Sequence, residues 1–130
     1  MNPQYKSERF NEDDFNKLIT TTSWINYLEN DNPMYHEITC GYNSIIFTRH
    51  RYHPYFNTIT IKIIMLSESF IIIYNITNNT FRINNKIYNR NDFISKYPMI
   101  FKQQIATMII DKKTKRNSID FEIQKLETYI

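Results

Sequence analysis

Residues 57–76, NTITIKIIMLSESFIIIYNI, decide the fold class. In the first half Ile59, Ile61, Ile63 and Met65 fall at every second position, with Thr58, Thr60 and Lys62 between them and Ile64 and Leu66 continuing the run. Side chains alternate across a strand, so the pattern predicts a strand with one apolar face and one mostly polar face. Ser67-Glu68 is a short turn. Ile71-Ile72-Ile73 then puts apolar side chains on both faces of the next strand, which suits a central position.

Working outward, strand patterns at 35–40 and 44–51 flank Gly41-Tyr42-Asn43, a hairpin loop with glycine where a positive φ is needed. Downstream, Asn78-Asn79 turns into an alternating stretch at 80–83, and Asn84-Asn85 leads to a short strand at 86–88. The spacing leaves no room for crossover helices. It predicts an antiparallel meander of five or six strands.

Helical patterns lie on both sides of this block. Residues 12–28 place Phe15, Leu18, Ile19, Ile25 and Leu28 near one face, with acids in the first turn where the helix dipole favours them. Thr20-Thr21-Thr22-Ser23 has weak helix propensity, so the segment reads as one helix or two short ones, ended by Asp31-Asn32-Pro33. After the strands, Asn91 is the expected cap for a short helical turn at Asp92-Phe93-Ile94, which Pro98 divides from a main helix over about 98–111 lined by Ile100, Phe101, Ile105, Met108 and Ile109. A basic link, 112–116, precedes a last helix capped by Ser118 and carrying Ile119, Ile123, Leu126 and Ile130. The expected architecture is a single α+β domain over 1–130, with an N-terminal helix and two C-terminal helices covering one face of the sheet.

Composition limits the function classes more than it identifies one. The chain has 130 residues, 9 Phe, 10 Tyr and a single Gly, a composition that favours a packed core over disorder. Its many Asn, Ile, Lys, Tyr and Phe share A/T-rich codons, as in a virus, a mobile element, a protist or a low-GC bacterium. Residues 1–6 lack the profile of a secretory signal, no apolar run approaches the roughly 20 residues of a membrane span, and Cys40 has no internal disulfide partner. These features read as soluble and intracellular. The net charge of +3 hides an acidic first part, up to residue 48, and a basic remainder, which favours an acidic partner or head-to-tail self-association.

Candidate site residues concentrate in RHRYHPYF, residues 49–56. His36, Cys40, His50 and His53 are metal-ligand types, but on a strand His36 and Cys40 stand roughly 13 Å apart, too far to share one ion. No metal or other cofactor is expected. His50 and His53 with a nearby arginine could serve a metal-independent nuclease, yet three apart on an extended chain they point to opposite faces. No phosphate loop, serine elbow or paired-acid signature supports catalysis elsewhere.

Two binding readings remain. Arg49, Arg51, Lys62 and Arg82 can make a basic sheet face opposite the helices, with Tyr52, Tyr55 and Phe56 stacking bases and Lys112, Lys113, Lys115 and Arg116 reaching phosphates, as in a single-stranded nucleic-acid-binding protein. The same exposed Arg, Tyr, His and Phe suit the centre of a protein interface. The favoured expectation is a non-catalytic module, such as a viral or mobile-element accessory or inhibitor protein, docking on an acidic partner surface. A homodimer through an edge strand is a further possibility.

Overall fold

The computed structural model describes residues 5–29, 33–50, 57–114 and 120–130. Its strands are β1 (Tyr5–Arg9), β2 (Tyr35–Cys40), β3 (Asn43–His50), β4 (Thr58–Met65), β5 (Glu68–Asn75), β6 (Thr80–Ile83) and β7 (Lys86–Asn89). They form one seven-stranded sheet whose order in space is their order along the chain. From β2 to β7 every pairing is antiparallel, the expected meander. The addition is β1, which runs parallel to β2 and raises the count to seven, against the five or six expected. Its sequence, YKSER, has no apolar alternation, and four of its five residues are exposed.

Between β1 and β2 the chain forms α1 (Glu12–Thr20), a 3-10 turn (Thr22–Ile25) and α2 (Asn26–Glu29). The Asn11 side chain caps α1 by accepting from the Asp14 amide at 2.8 Å. Of the two readings of this segment, the broken one holds. Thr21 ends α1 in an extended conformation and its side chain caps the 3-10 turn, since a Thr/Ser run offers the backbone local hydrogen bonds in place of helix.

Helix α3 (Arg90–Thr114) begins directly after β7 and runs unbroken through Pro98, so the expected division at Pro98 is corrected. The cap is Asn89, whose side chain accepts from the Asp92 amide at 2.8 Å, and not Asn91. An interior proline costs about 3 kcal/mol. Phe93 and Tyr97, upstream of it, are fully buried, and at about 1.5–3 kcal/mol for each large apolar side chain their burial is enough to hold the first two turns. Helix α4 (Asp120–Glu127) follows; the proposed cap Ser118 lies outside the described residues.

The helices cover one face of the sheet, as expected. That inner face carries Ile38, Ile45, Phe47, Ile59, Ile61, Ile63, Phe70, Ile72 and Phe81, all buried. Above β6, Trp24 packs edge-on against Phe93 and Tyr97, and Phe81 stacks on Phe93 with centroids 4.3 Å apart. The Tyr97 hydroxyl donates to the carbonyl of Ile19, tying α3 to α1. Burial pushes this phenol far above its ordinary pKa of 10.0.

Short turns join β2 to β3, β4 to β5, β5 to β6 and β6 to β7, with Gly41 at φ 60° as expected. Asn57, Asn79 and Asn84 also adopt positive φ, as do Leu66 and Ser67 between β4 and β5. Asparagine tolerates this region better than most residues, so in a chain with one glycine it takes over glycine's role. Part of the asparagine content is therefore structural.

Candidate functional site

Among the described residues, three places hold chemically interesting side chains: the uncovered face of the sheet, a cleft between α1 and the C-terminal segment, and a buried imidazole beside β1.

On the uncovered face, strand register sets the pattern. One row across the sheet is Glu37, Ile46, Lys62 and Ile71; the next is Thr48, Thr60, Ile73, Arg82 and Ile87. Each cation therefore sits between two isoleucines on neighbouring strands. Ile71 is 47% exposed and Ile87 68%, while Ile46, Ile64 and Ile73 are half-buried by their neighbours. Lys62 and Arg82, both exposed, are two strands and two residues apart, about 12 Å at ordinary sheet spacings. A shallow hollow of about 390 Å³ lies among Ile71, Ile73, Arg82 and Asn84.

Arg49 does not join them. It stands opposite Ile59, on the helix-covered side, and its Nε is buried with no partner among the described residues. The basic face is corrected accordingly: of the expected cations it keeps Lys62 and Arg82. Alternation already held this signal, because Arg49 is two residues beyond the buried Phe47. His50 does face outward, opposite Thr58, and its Nε2 shares a 2.8 Å hydrogen bond with the Thr60 hydroxyl. Arg51, Tyr52, His53, Tyr55, Phe56, Lys115 and Arg116 lie outside the described residues.

Lys112 is a second correction. It belongs to α3 and not to a loop, is 4% exposed, and donates to Ser67 Oγ and Glu122 Oε1, each at 3.2 Å. This clamp joins the β4–β5 turn to α3 and α4, so Lys112 cannot reach a phosphate. Lys113, in the last turn of α3, is exposed within the helical layer, across the sheet from Lys62.

The cleft has a volume of about 630 Å³ and is walled by α1, the β2–β3 turn, Leu66 and the segment from Phe121 to Tyr129. Tyr129 donates to Asn16 Oδ1 at 2.9 Å. Burial, and then the Glu12 carboxylate, raise the pKa of both the Cys40 thiol and the Tyr129 phenol. Cys40 is thus held as a thiol and not activated as a nucleophile.

His36 was weighed above only as a metal ligand. It is 2% exposed on the inner face, between Tyr27 and Phe47, with Nε2 2.6 Å from Glu8 Oε2. Residues 35–40 are a strand, as expected, with Cys40 at its far end. The Glu8 contact was not legible, since it depends on the parallel pairing of β1. Among the described residues no three His, Cys, Asp or Glu side chains gather to hold a metal ion, and no helix is long and apolar enough to cross a membrane.

Comparison with protein-family models, with curated proteins and with solved structures finds no match to this chain.

Proposed function

We propose that the protein is a non-catalytic interaction module acting inside the cell, and that its uncovered sheet face seats a partner protein, apolar at the centre and acidic where it meets Lys62 and Arg82. One observation carries this reading: five isoleucines, Ile46, Ile64, Ile71, Ile73 and Ile87, share a face that no described helix covers, with two exposed cations set among them. Contiguous apolar surface rimmed by polar groups is the usual signature of a protein contact. The cations add selection for an acidic partner.

A single-stranded nucleic acid fits this face less well. Base stacking needs free aromatic faces, and among the described residues the aromatics of this face, Tyr5 and Tyr35, stack on each other at 5.0 Å at the β1–β2 edge. Self-association through an edge strand also has less support. Strand β1 carries Lys6, Glu8 and Arg9, and β7 has four residues, features that discourage strand addition.

The test takes a partner captured from the native cell and measures its affinity for the wild type, for Ile71→Asp/Ile73→Asp and for Lys62→Glu/Arg82→Glu. Affinity should fall at least ten-fold for both pairs with melting temperatures preserved. Unchanged affinity in both would overturn the assignment of this face. Salt-sensitive micromolar binding of single-stranded DNA or RNA would replace it with the nucleic-acid reading.

A further inference from the structure

Helix α3 is apolar on two sides. Its inner side fills the core, but Met99 and Ile110, on its outer side, are 55% and 60% exposed. With Gln103 and Ala106 between them they follow spacings of four, three and four residues, which set all four along one narrow stripe of the helix. The stripe is open, with Gln103 exposed as well and Ala106 half-buried. The small Ala106 side chain leaves a hollow of about 460 Å³, lined also by Pro98, Met99, Lys102 and Gln103. This surface lies on the outer side of the helical layer, so the core separates it from the uncovered face of the sheet.

The rim of the stripe is cationic. The same spacing continues to Lys96 at one end and Lys113 at the other, and Lys102 flanks the middle. All three are exposed, and none has an ion-pair partner among the described residues, although the Lys96 amine lies 5.7 Å from the Tyr88 ring centroid. The exposed acid nearby, Asp111, follows Ile110 directly and so points about 100° further round the helix. This charge pattern selects among occupants. An antiparallel second copy that matched Met99 with Ile110 would also set Lys96 against Lys113, and a parallel copy would set each lysine beside its counterpart. A membrane surface calls for a broader apolar face than two large side chains and an alanine, whereas a stripe this narrow has the width of a helix–helix seam. We propose that the outer face of α3 docks an amphipathic helix of another protein, its apolar seam over Met99, Ala106 and Ile110 and its acidic flanks against Lys96, Lys102 and Lys113. Gln103, polar within the seam, fixes the register of that helix.

Two synthetic helices make the test, both with leucine along the seam, one with glutamate and the other with lysine on both flanks, where like charges keep each peptide from pairing with itself. Each is titrated into the full chain and followed by amide chemical shifts. The acidic helix should bind at least ten-fold more tightly than the basic one and shift the amides of α3 between Lys96 and Lys113. Met99→Asp/Ile110→Asp should remove the binding with the melting temperature preserved, and Lys102→Glu/Lys113→Glu should remove the preference for the acidic helix. Equal affinity for the two helices, no shifts in α3 with 1 mM acidic helix, or binding that survives Met99→Asp/Ile110→Asp would overturn the proposal. So would co-sedimentation with anionic phospholipid vesicles in place of helix binding, which would make the stripe a membrane contact. A doubling of mass with concentration that Met99→Asp/Ile110→Asp abolishes would overturn it in favour of a second copy. Ile71→Asp/Ile73→Asp should leave the titration unchanged; a loss there would move the acidic helix to the sheet face, which separates failure here from failure of the proposed partner surface.

Discussion

The two faces of this sheet are built from the same strands and largely from the same residue, yet isoleucine means different things on each. Ile61 and Ile72 are fully buried beneath the helices, while Ile71, next to Ile72 in sequence, is half exposed. What separates them is one step of the strand's two-residue period and the side on which the helices lie. Residue type sets what a face can do; coverage decides whether it does so as core or as exposed surface.

The sharpest way to break the comparison is to truncate one isoleucine on each side. Ile61→Ala should cost about 3–4 kcal/mol by leaving a cavity under the helices. Ile71→Ala should cost less than about 1 kcal/mol in the same chemical denaturation, because the site is open to water. Equal costs would mean that the outer face is a second core and not a free surface.

Next in size is Lys112→Ala, which strands Glu122 and Ser67 within the clamp. Removal of one partner of a buried pair costs about 3 kcal/mol, and Glu122, partly exposed, recovers some of this by reaching water. Lys112→Met should recover more, since it retains the packed stem. If both variants were as stable as the wild type, Lys112 would be a surface charge after all.

The inner face also predicts a pH effect. Tyr97 has its pKa raised in the folded state, so unfolding releases protons once the pH exceeds the ordinary phenol value of 10.0. Its contribution is fully present below pH 10 and declines as the pH rises towards the folded-state value. Urea midpoints should therefore fall more steeply above pH 10 in the wild type than in Tyr97→Phe, which loses its bond to Ile19 but has no proton to release. The smallest effect belongs to the turns: Asn84→Ala should lose about 1 kcal/mol and Asn84→Gly almost nothing, as φ of 54° requires.

Much of this architecture could be read from alternation alone. The strands β2 to β7 and the covering of one face followed from apolar periods and turn residues. What escaped shares one physical cause, dependence on a distant partner. YKSER becomes a strand only because β2, some thirty residues on, offers it an edge. Helix α3 runs through Pro98 because Phe93 and Tyr97 have a core to enter, and Lys112 is buried because Ser67 and Glu122 meet it. Of the candidate site, Lys62 and Arg82 were legible as an outward pair. Their isoleucine neighbours belonged to other strands, so the proposed contact surface emerged only with the register.

A sheet whose spatial order repeats its chain order also has a temporal side. As the polypeptide leaves the ribosome, each strand from β3 onward finds the previous one waiting, so hairpins can close locally and quickly. The cover arrives late, because α3 begins only after the last strand has been made. Throughout that interval most of the inner isoleucines and phenylalanines of the growing meander have only the short N-terminal helices to shield them. That surface closes only once the chain has reached about residue 109, where the last of the buried α3 positions except Lys112 is supplied.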